Sequence, residues 1–208
     1  MEILVLQHED NEDPGLIFDW AAAHDIDLKV MRPDLGDNLT PINANDLDGV
    51  ILLGGPQNVD DDHTWLAAER ILIRSMDKIG RPVFGICLGA QQIVRAFGTP
   101  VLPMPLPELG RGTVARPDES VLAVFQWHMM GMGQLPGAEI RYTNQAVTNQ
   151  GFSYHHRIMG VQFHLEFTPK QQAAMIAHSE FADLPALNEM EQIQAVTELN
   201  GLLDEVFL

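Results

Sequence analysis

The stretch Gly85-Ile86-Cys87-Leu88-Gly89 stands between the apolar run Pro82-Val83-Phe84 and the helix-like run Ala90-Gln91-Gln92-Ile93-Val94. A nucleophile flanked by small residues at a strand-to-helix junction is the pattern of a nucleophile elbow. Glycines are expected on both sides of the turn, because a Cβ there would crowd the crossing backbone. The turn is expected to leave the thiol of Cys87 exposed above the end of the strand. The partial positive charge of the helix N-terminus favours the thiolate, which is the reactive form.

Strand and helix patterns alternate through the first half of the chain, on either side of this turn. The runs typical of strands are Ile3–Leu6, Asp27–Met31, Gly49–Leu53 and Pro82–Ile86. The runs typical of helices extend from Pro14-Gly15 to about Ala23, from Trp65 to Met76 and from Gly89 to Phe97. This alternation predicts an α/β fold with a mainly parallel sheet and helices on both faces.

The second half of the chain contains short extended runs that Gly and Pro residues separate. These runs are Thr113–Arg116, Val121–Trp127, Glu139–Thr143, Gln145–Thr148 and Ile158–Phe163. They predict antiparallel strands added to the parallel sheet. The tail from Pro169 reads as two helical pieces, broken around Asp183-Leu184-Pro185. Without an internal repeat or a linker, residues 1–208 are expected to form a single domain.

The amino-acid composition makes some classes of binding partner unfavourable. The 208 residues include 12 Lys and Arg against 29 Asp and Glu, a formal charge of −17. Such a surface repels nucleic-acid phosphates and anionic membranes, so neither is expected as a partner. No apolar run approaches the roughly 20 residues that cross a bilayer. The N-terminus reads as a first strand, and the single cysteine cannot form an internal disulfide, so a cytoplasmic location is expected.

A thiol nucleophile needs a base, and the base needs an orienting partner. His164-Leu165-Glu166 follows the strand-like run Val161-Gln162-Phe163 and supplies both groups. Side chains alternate faces in an extended chain, so His164 and Glu166 should point the same way and Leu165 into the core. A histidine of this kind on its own is more often a hydrogen-bonded core residue. Its carboxylate neighbour, together with the cysteine elbow, favours a catalytic role.

The Gly54-Gly55-Pro56 loop follows the apolar strand that ends at Leu53. Attack on a carbonyl produces an oxyanion, which backbone N–H groups can stabilise. Gly55 could supply one such N–H and Leu88, directly after the nucleophile, the second. An ordinary Gly-Gly-Pro loop is the alternative interpretation.

Two histidine-containing runs, His8-Glu9-Asp10 and His155-His156, could suggest a metal site. Adjacent histidines on a strand face opposite directions and cannot readily bind one ion. The sequence therefore predicts no metal ligands and no cofactor.

In this order and spacing, the three motifs closely resemble those of the class I (triad) glutamine amidotransferases. The motifs are strand–Gly-Gly-Pro, then Gly-Ile-Cys-Leu-Gly-Ala-Gln, then Gln-Phe-His-Leu-Glu. The glycine loop lies about thirty residues before the cysteine, and the His-x-Glu motif nearly eighty after it. The resemblance covers residues from about 1 to 180 and is closest to single-domain members similar to the amidotransferase domain of GMP synthase. It implies a flavodoxin-like sheet.

The resemblance also implies roles for individual residues. Cys87 matches the nucleophile that attacks the γ-amide of glutamine, releases ammonia and leaves a glutamyl thioester for water to hydrolyse. His164 matches the general acid/base, and Glu166 its orienting carboxylate. Gly55 and Leu88 match the backbone donors of the oxyanion hole.

Further positions match the part of the family that contacts the substrate. Gln91 corresponds to a residue that contacts bound glutamine, with helix capping or solvent exposure as its alternative role. Gly54, Trp127 and His128 are further candidate substrate-binding residues. The chain departs from related single-domain members at Met130, where the Trp-His-x-Asp pattern has an acidic residue.

The resemblance implies an amidase that acts on glutamine or another γ-glutamyl compound. These 208 residues contain no synthetase domain. Either a separate synthetase subunit takes the ammonia, or the enzyme acts alone as a hydrolase. Two alternatives remain open: a γ-glutamyl peptide hydrolase with a larger leaving amine, and a catalytically silent binding or regulatory subunit.

Overall fold

The computed structural model describes residues 1–155, 157–181 and 183–208, so His156 lies outside the described residues. Its strands are β1 Glu2–Leu6, β2 Asp27–Met31, β3 Gly49–Leu52, β4 Val83–Ile86, β5 Val101–Ala115, β6 Val121–Met132, β7 Glu139–Tyr142, β8 Gly151–Tyr154 and β9 Ile158–Val161. Its helices are α1 Ile17–Ala23, α2 Thr64–Lys78, α3 Leu88–Ala96, α4 Pro169–Ala177 and α5 Glu189–Phe207. None of these helices is long and apolar enough to cross a membrane.

Seven strands form one sheet in the order β2-β1-β3-β4-β9-β8-β7. The five strands from β2 to β9 pair in parallel. β8 pairs antiparallel to β9, and β7 antiparallel to β8. The predicted α/β class, a mainly parallel sheet with added antiparallel strands, is therefore confirmed. The helical tail is also in two pieces, as predicted.

Apolar alternation along the central strands produces two cores, one on each face of the sheet. Ile3 and Val5 of β1 pack into the core beneath α1 and α5, whereas Leu4 and Leu6 pack into the core beneath α2 and α3. The strand β3 divides in the same way. A strand that is buried on both faces is the usual consequence of covering a parallel sheet with helices.

The second half of the chain differs from the prediction in three places. β5 and β6 form a separate two-stranded sheet instead of joining the main one. The run Gln145–Thr148 contains bends and no strand, and the strand lies just after it, at Gly151–Tyr154. β9 belongs to the parallel part of the sheet. Polar turn-forming residues between 144 and 150 explain the shifted strand, because Asn144 accepts hydrogen bonds from the backbone N–H groups of Ala146 and Val147.

The first helix also starts later than the sequence suggested. Pro14 and Gly15 form a turn, and α1 begins at Ile17. Gly15 has a φ of +49°, and a Cβ there would lie 2.3 Å from the carbonyl oxygen of Glu166. The turn thereby brings the start of α1 against the chain that follows β9.

Two glycines allow α3 to begin directly against the sheet. A Cβ at Gly85 would lie 2.6 Å from the carbonyl carbon of Gly89, and a Cβ at Gly89 would lie 2.2 Å from the carbonyl oxygen of Leu52. Real Cβ atoms do not approach backbone atoms so closely, so the two glycines that flank Cys87 are required by packing.

We therefore expect Gly89→Ala to lower the free energy of unfolding by about 1–3 kcal/mol, as overpacking against a rigid backbone does. Gly201→Ala in α5 is the matched control, because a Cβ there meets no atom within 4 Å. The control should raise stability by about 0.5–1 kcal/mol, since it removes a glycine from a helix interior. Urea unfolding of both variants measures the difference. Equal effects of the two substitutions would contradict the packing argument.

Candidate active site

Four parallel strands end at one edge of the sheet, and the residue or loop that follows each of them lies at this edge. His8 follows β1, the Gly54-Gly55 loop follows β3, Cys87 follows β4, and His164 follows β9. Ligands of open α/β sheets bind at this edge, beyond the carboxyl ends of the strands. The topology therefore brings together groups that are up to 156 positions apart in the sequence, from His8 to His164.

Cys87 lies at the junction of β4 and α3 with φ 51° and ψ −109°. A positive φ at a residue other than glycine is strained, and such strain clusters at functional turns. The residue lines a cleft, but only 6% of its surface is exposed. The expectation of an exposed thiol is therefore wrong. The chain around residue 127 covers the sulfur, and Sγ lies 3.8 Å from the carbonyl oxygen of Trp127.

His164 and Glu166 form a buried pair. Nδ1 of His164 lies 2.6 Å from Oε1 of Glu166, and each side chain is 1% exposed. A carboxylate only accepts hydrogen bonds, so Nδ1 carries the proton and Nε2 is the ring nitrogen available for other contacts. The ring stacks on Phe167 with 4.2 Å between centroids, which limits its rotation.

Nε2 of His164 is buried and has no hydrogen-bond partner among the described residues. Burial disfavours the charged ring, but the Glu166 carboxylate and the neighbouring Cys87 thiol outweigh it and raise the pKa of His164 well above its usual value. The His164 imidazole is therefore a stronger base than usual and lies beside the Cys87 thiol. Its Nε2 makes no hydrogen bond to the described residues.

Gly54 and Gly55 lie close to His164 and to Leu88, the residue that follows Cys87. A Cβ on Gly54 would meet the His164 ring at 3.0 Å, and a Cβ on Gly55 would meet the Leu88 side chain at 3.1 Å. Among the described residues, neither the N–H of Gly55 nor that of Leu88 donates a hydrogen bond. Two unpaired backbone donors on adjoining segments next to a thiol are what an oxyanion hole requires.

Gln91 lies one turn into α3 and is 4% exposed, so the alternative of an exposed or capping residue is wrong. Its Nε2 donates to Oε1 of Gln162 at 3.3 Å. Nε2 of Gln162 in turn lies 3.8 Å from Sγ of Cys87. Sequence reasoning did not select Gln162, although its position two residues before His164 places it on the same face of an extended chain.

Trp127 and His128 belong to β6 and line the cleft together with Met130. His128 is fixed within its own hairpin: Nδ1 lies 2.9 Å from the carbonyl oxygen of Met130, and Nε2 lies 3.0 Å from Oε1 of Gln126. Nε2 also lies 3.3 Å from a carboxylate oxygen of Glu108. The hairpin thus has its own acidic partner for His128 in Glu108, although Met130 stands where the resemblance implied an acidic residue.

Glu12 is a second buried carboxylate that the sequence analysis missed. Its Oε2 has no partner among the described residues, and a Cβ on Gly54 would lie 1.9 Å from it and 3.0 Å from Cε1 of His164. Burial raises the pKa of Glu12 to about 7, with nearby His164 lowering it and Glu166 raising it. Glu12 lies in a loop without periodicity, so no sequence pattern could have identified it.

The cleft has a volume of about 410 Å³. Its lining includes both polar and apolar residues: Glu9, Asn11, Glu12, Gln57, Asn58, Gln91, His178 and Ser179 are polar, and Leu109, Trp127, Met129, Met130 and Met175 are apolar or aromatic. In the described part of the chain, no three His, Cys, Asp or Glu side chains are grouped so that they could bind a metal.

Comparison with known proteins identifies the family of this chain. The family model described as glutamine amidotransferase class-I matches residues 16–184. The glutamine amidotransferase-like protein YfeJ of Salmonella typhimurium is 28% identical over 97% of this chain and 90% of its own length. One subunit of the glutamine-hydrolysing GMP synthase of Thermoplasma acidophilum is 28% identical over 68% of this chain and 72% of its own length.

Solved structures reproduce the fold. A glutamine amidotransferase from Thermotoga maritima aligns with a TM-score of 0.88 at 23% identity, over 100% of this chain and 98% of its own. One from Methylobacillus flagellatus aligns with a TM-score of 0.85 at 24% identity, over 99% of this chain and 92% of its own.

The raised pKa of Glu12 predicts a pH-dependent stability. Between its ordinary pKa of 4.5 and its folded value of about 7, the folded chain holds more of this proton than the unfolded chain. The contribution of Glu12 to the free energy of unfolding therefore falls as the pH rises through this window, by about 3 kcal/mol. Relative to wild type, Glu12→Gln should gain stability from pH 5 to pH 8.

Urea unfolding across this pH range measures the gain. Glu9→Gln, at the rim of the same cleft, is the control for the loss of one negative charge. A constant difference between Glu12→Gln and wild type at all pH values would contradict the assignment.

Proposed function

Because the chain belongs to the class-I glutamine amidotransferase family, we propose that it hydrolyses a γ-glutamyl amide to glutamate and ammonia through Cys87, His164 and Glu166. The observation that carries the proposal is the unpartnered, buried Nε2 of His164 beside the Cys87 thiol, with Glu166 fixing the other ring nitrogen. This arrangement can take a proton from the thiol and return it to a leaving group.

In the first half-reaction, Nε2 of His164 accepts the thiol proton and Sγ forms a bond to the γ-carbonyl carbon. The carbonyl π electrons move onto the oxygen, and the N–H groups of Gly55 and Leu88 stabilise the oxyanion. The oxyanion then re-forms the C=O bond, and the C–N bond breaks as the His164 imidazolium gives its proton to the departing nitrogen. Ammonia leaves and a γ-glutamyl thioester remains on Cys87.

In the second half-reaction, His164 accepts a proton from water while the water oxygen attacks the thioester carbon. The same two N–H groups stabilise the second oxyanion. The C–S bond breaks, the imidazolium returns its proton to the sulfur, and glutamate is released. Throughout both steps, the Glu166 carboxylate stabilises the charged imidazole ring and keeps Nε2 directed at the sulfur.

The acceptor of the ammonia is a separate question. The similarity to a protein named as one subunit of a GMP synthase supports a second subunit that uses the ammonia. The cleft supports a second candidate function, hydrolysis of a γ-glutamyl peptide. Its volume of about 410 Å³ is in the range of pockets that bind ligands larger than an amino acid, and the methionines in its lining offer apolar contacts for a larger leaving group.

Covalent labelling tests the nucleophile. Because Cys87 is the only cysteine, a γ-glutamyl chloromethyl ketone should add one equivalent to the wild-type protein and none to Cys87→Ala. Intact-mass spectrometry reads the result, and excess glutamine should slow the reaction. Iodoacetamide, which carries no γ-glutamyl group, controls for simple access to the thiol. If iodoacetamide labels Cys87 and the ketone does not, the chain is a catalytically silent binding protein and the proposal fails.

Substitution of the other two residues tests their roles. We expect His164→Ala to lower kcat for glutamine hydrolysis by about 10³-fold or more, since it removes the proton carrier. Glu166→Gln should be less damaging, because the imidazole remains. Steady-state ammonia release measures both. A Glu166→Gln loss that exceeds the His164→Ala loss would contradict these assignments.

The choice between the two substrate classes depends on the leaving group. Glutamine and a γ-glutamyl dipeptide present the same acyl part to Cys87, so the ratio of their kcat/KM values reports on the leaving-group side alone. An amidase should prefer glutamine by about tenfold or more. Met175→Gln, in the lining of the cleft, should lower kcat/KM for the dipeptide alone if the peptide is the substrate.

A further inference from the structure

A second imidazole–carboxylate pair lies behind the glycine loop and takes no part in the proton transfers described above. His8 follows β1 and is fully buried. Its Nδ1 lies 3.1 Å from the carbonyl oxygen of Leu53 and 3.0 Å from that of Gly54. Its Nε2 lies 2.7 Å from Oε1 of Glu69 in α2, which is also fully buried.

Every polar atom that contacts the His8 ring is a hydrogen-bond acceptor. Carbonyl oxygens and an ionised carboxylate cannot donate, so with Glu69 ionised both ring nitrogens donate and the ring is an imidazolium. Burial opposes this charge, but the Glu69 carboxylate outweighs it and raises the pKa of His8 above its ordinary value. The ring of Trp65 stacks on His8 at 5.0 Å between centroids and 8° between planes, an arrangement that favours a cation.

Further hydrogen bonds anchor this pair. Oε2 of Glu69 accepts from Nε2 of Gln92 in α3 at 2.7 Å, and the same nitrogen donates to the carbonyl oxygen of Leu66 at 2.9 Å. Oε1 of Gln92 accepts from Arg70 at 2.8 Å. Residues of α2 and α3 therefore hold the Glu69 carboxylate in place, and this carboxylate in turn holds the His8 ring.

The carbonyl that His8 holds belongs to the same peptide unit as the candidate oxyanion donor. The C=O of Gly54 and the N–H of Gly55 lie on opposite sides of one planar trans peptide. A peptide between two glycines rotates more freely than any other, because no Cβ restricts it. Holding the Gly54 oxygen on the His8 side therefore directs the Gly55 N–H away from His8.

We propose that His8 is a positioning residue that, held by Glu69, fixes the Gly54–Gly55 peptide so that the Gly55 N–H faces the γ-carbonyl oxygen of the substrate. The catalytic consequence rests on the function proposed above, whereas the orientation of the peptide does not. The metal-binding alternative for His8 is wrong on this assignment, because both of its ring nitrogens already donate to oxygen atoms.

Two substitutions of His8 test the contributions of its two ring nitrogens separately. The amide nitrogen of asparagine occupies about the place of Nδ1, whereas that of glutamine reaches about as far as Nε2. His8→Asn therefore keeps a donor for Gly54, and His8→Gln keeps one for Glu69. Both variants lose the charge, so a general cost in stability is common to both and cancels in the comparison.

We expect His8→Gln to lower kcat for glutamine hydrolysis by about 10- to 100-fold, somewhat less than the loss of an oxyanion donor itself. KM should change little, because the donor acts mainly in the transition state. His8→Asn should retain most of the wild-type kcat. Alkylation of Cys87 by iodoacetamide forms no oxyanion and should proceed at the wild-type rate in both variants.

Crystal structures of the two variants show the orientation of the Gly54–Gly55 peptide directly. The Gly54–Gly55 peptide should be rotated in His8→Gln and unchanged in His8→Asn. Equal losses of kcat in both variants, or an unrotated peptide in His8→Gln, would overturn the inference. If the wild-type protein hydrolyses no γ-glutamyl compound, the proposed function fails, and the two crystal structures still decide whether His8 sets the orientation.

Discussion

The close approach of α3 to the sheet is the constraint on which the cleft depends. With glycine on both sides of Cys87, the turn descends far enough for its backbone to bond with both neighbouring strands. The N–H of Cys87 donates to the carbonyl oxygen of Val161 at 2.9 Å, and the N–H of Gly89 donates to that of Leu53 at 3.1 Å. These two bonds fix the thiol relative to the segment that leads to His164 and relative to the glycine loop. The relative placement of Cys87, the glycine loop and the segment that leads to His164 follows from main-chain packing, before any side chain is considered.

Two buried imidazole–carboxylate pairs lie next to the glycine loop. They differ in whether one of the ring nitrogens is free of hydrogen bonds. In the pair His164–Glu166, one ring nitrogen has no hydrogen-bond partner among the described residues. In the pair His8–Glu69, both nitrogens are bound to oxygen acceptors. The same two residue types thus suit proton exchange in one place and rigid support in the other. Burying such pairs costs free energy that hydrophobic residues would not cost, which fits a role in the site rather than in stability.

Sequence spacing was sufficient for the parallel sheet, the elbow and the His-x-Glu pair, because each depends on local periodicity or on neighbours one or two positions apart. The class I amidotransferase resemblance is confirmed by the family match. The pairing of β5 with β6 was not foreseen, since Pro and Gly residues interrupt β5 and obscure its alternation. Glu12, His8 and Glu69 were missed as site residues for another reason. Their environment comes from tertiary contacts across 23 to 152 positions, from Glu69–Gln92 to Glu12–His164, and no local pattern encodes such contacts.

The parallel pairing of β4 with β9 also has a consequence for the order of folding. Val83 pairs with Ile158, and β5 to β8 lie between them in the chain. Closing so long a loop is entropically unfavourable and slow compared with forming the local β3–α2–β4 unit. A nascent chain should therefore complete its cysteine turn while the histidine is still unstructured or unsynthesised. A partly folded chain would carry Cys87 without His164 beside it, so the proposed site would be assembled only when β9 docks on the central sheet.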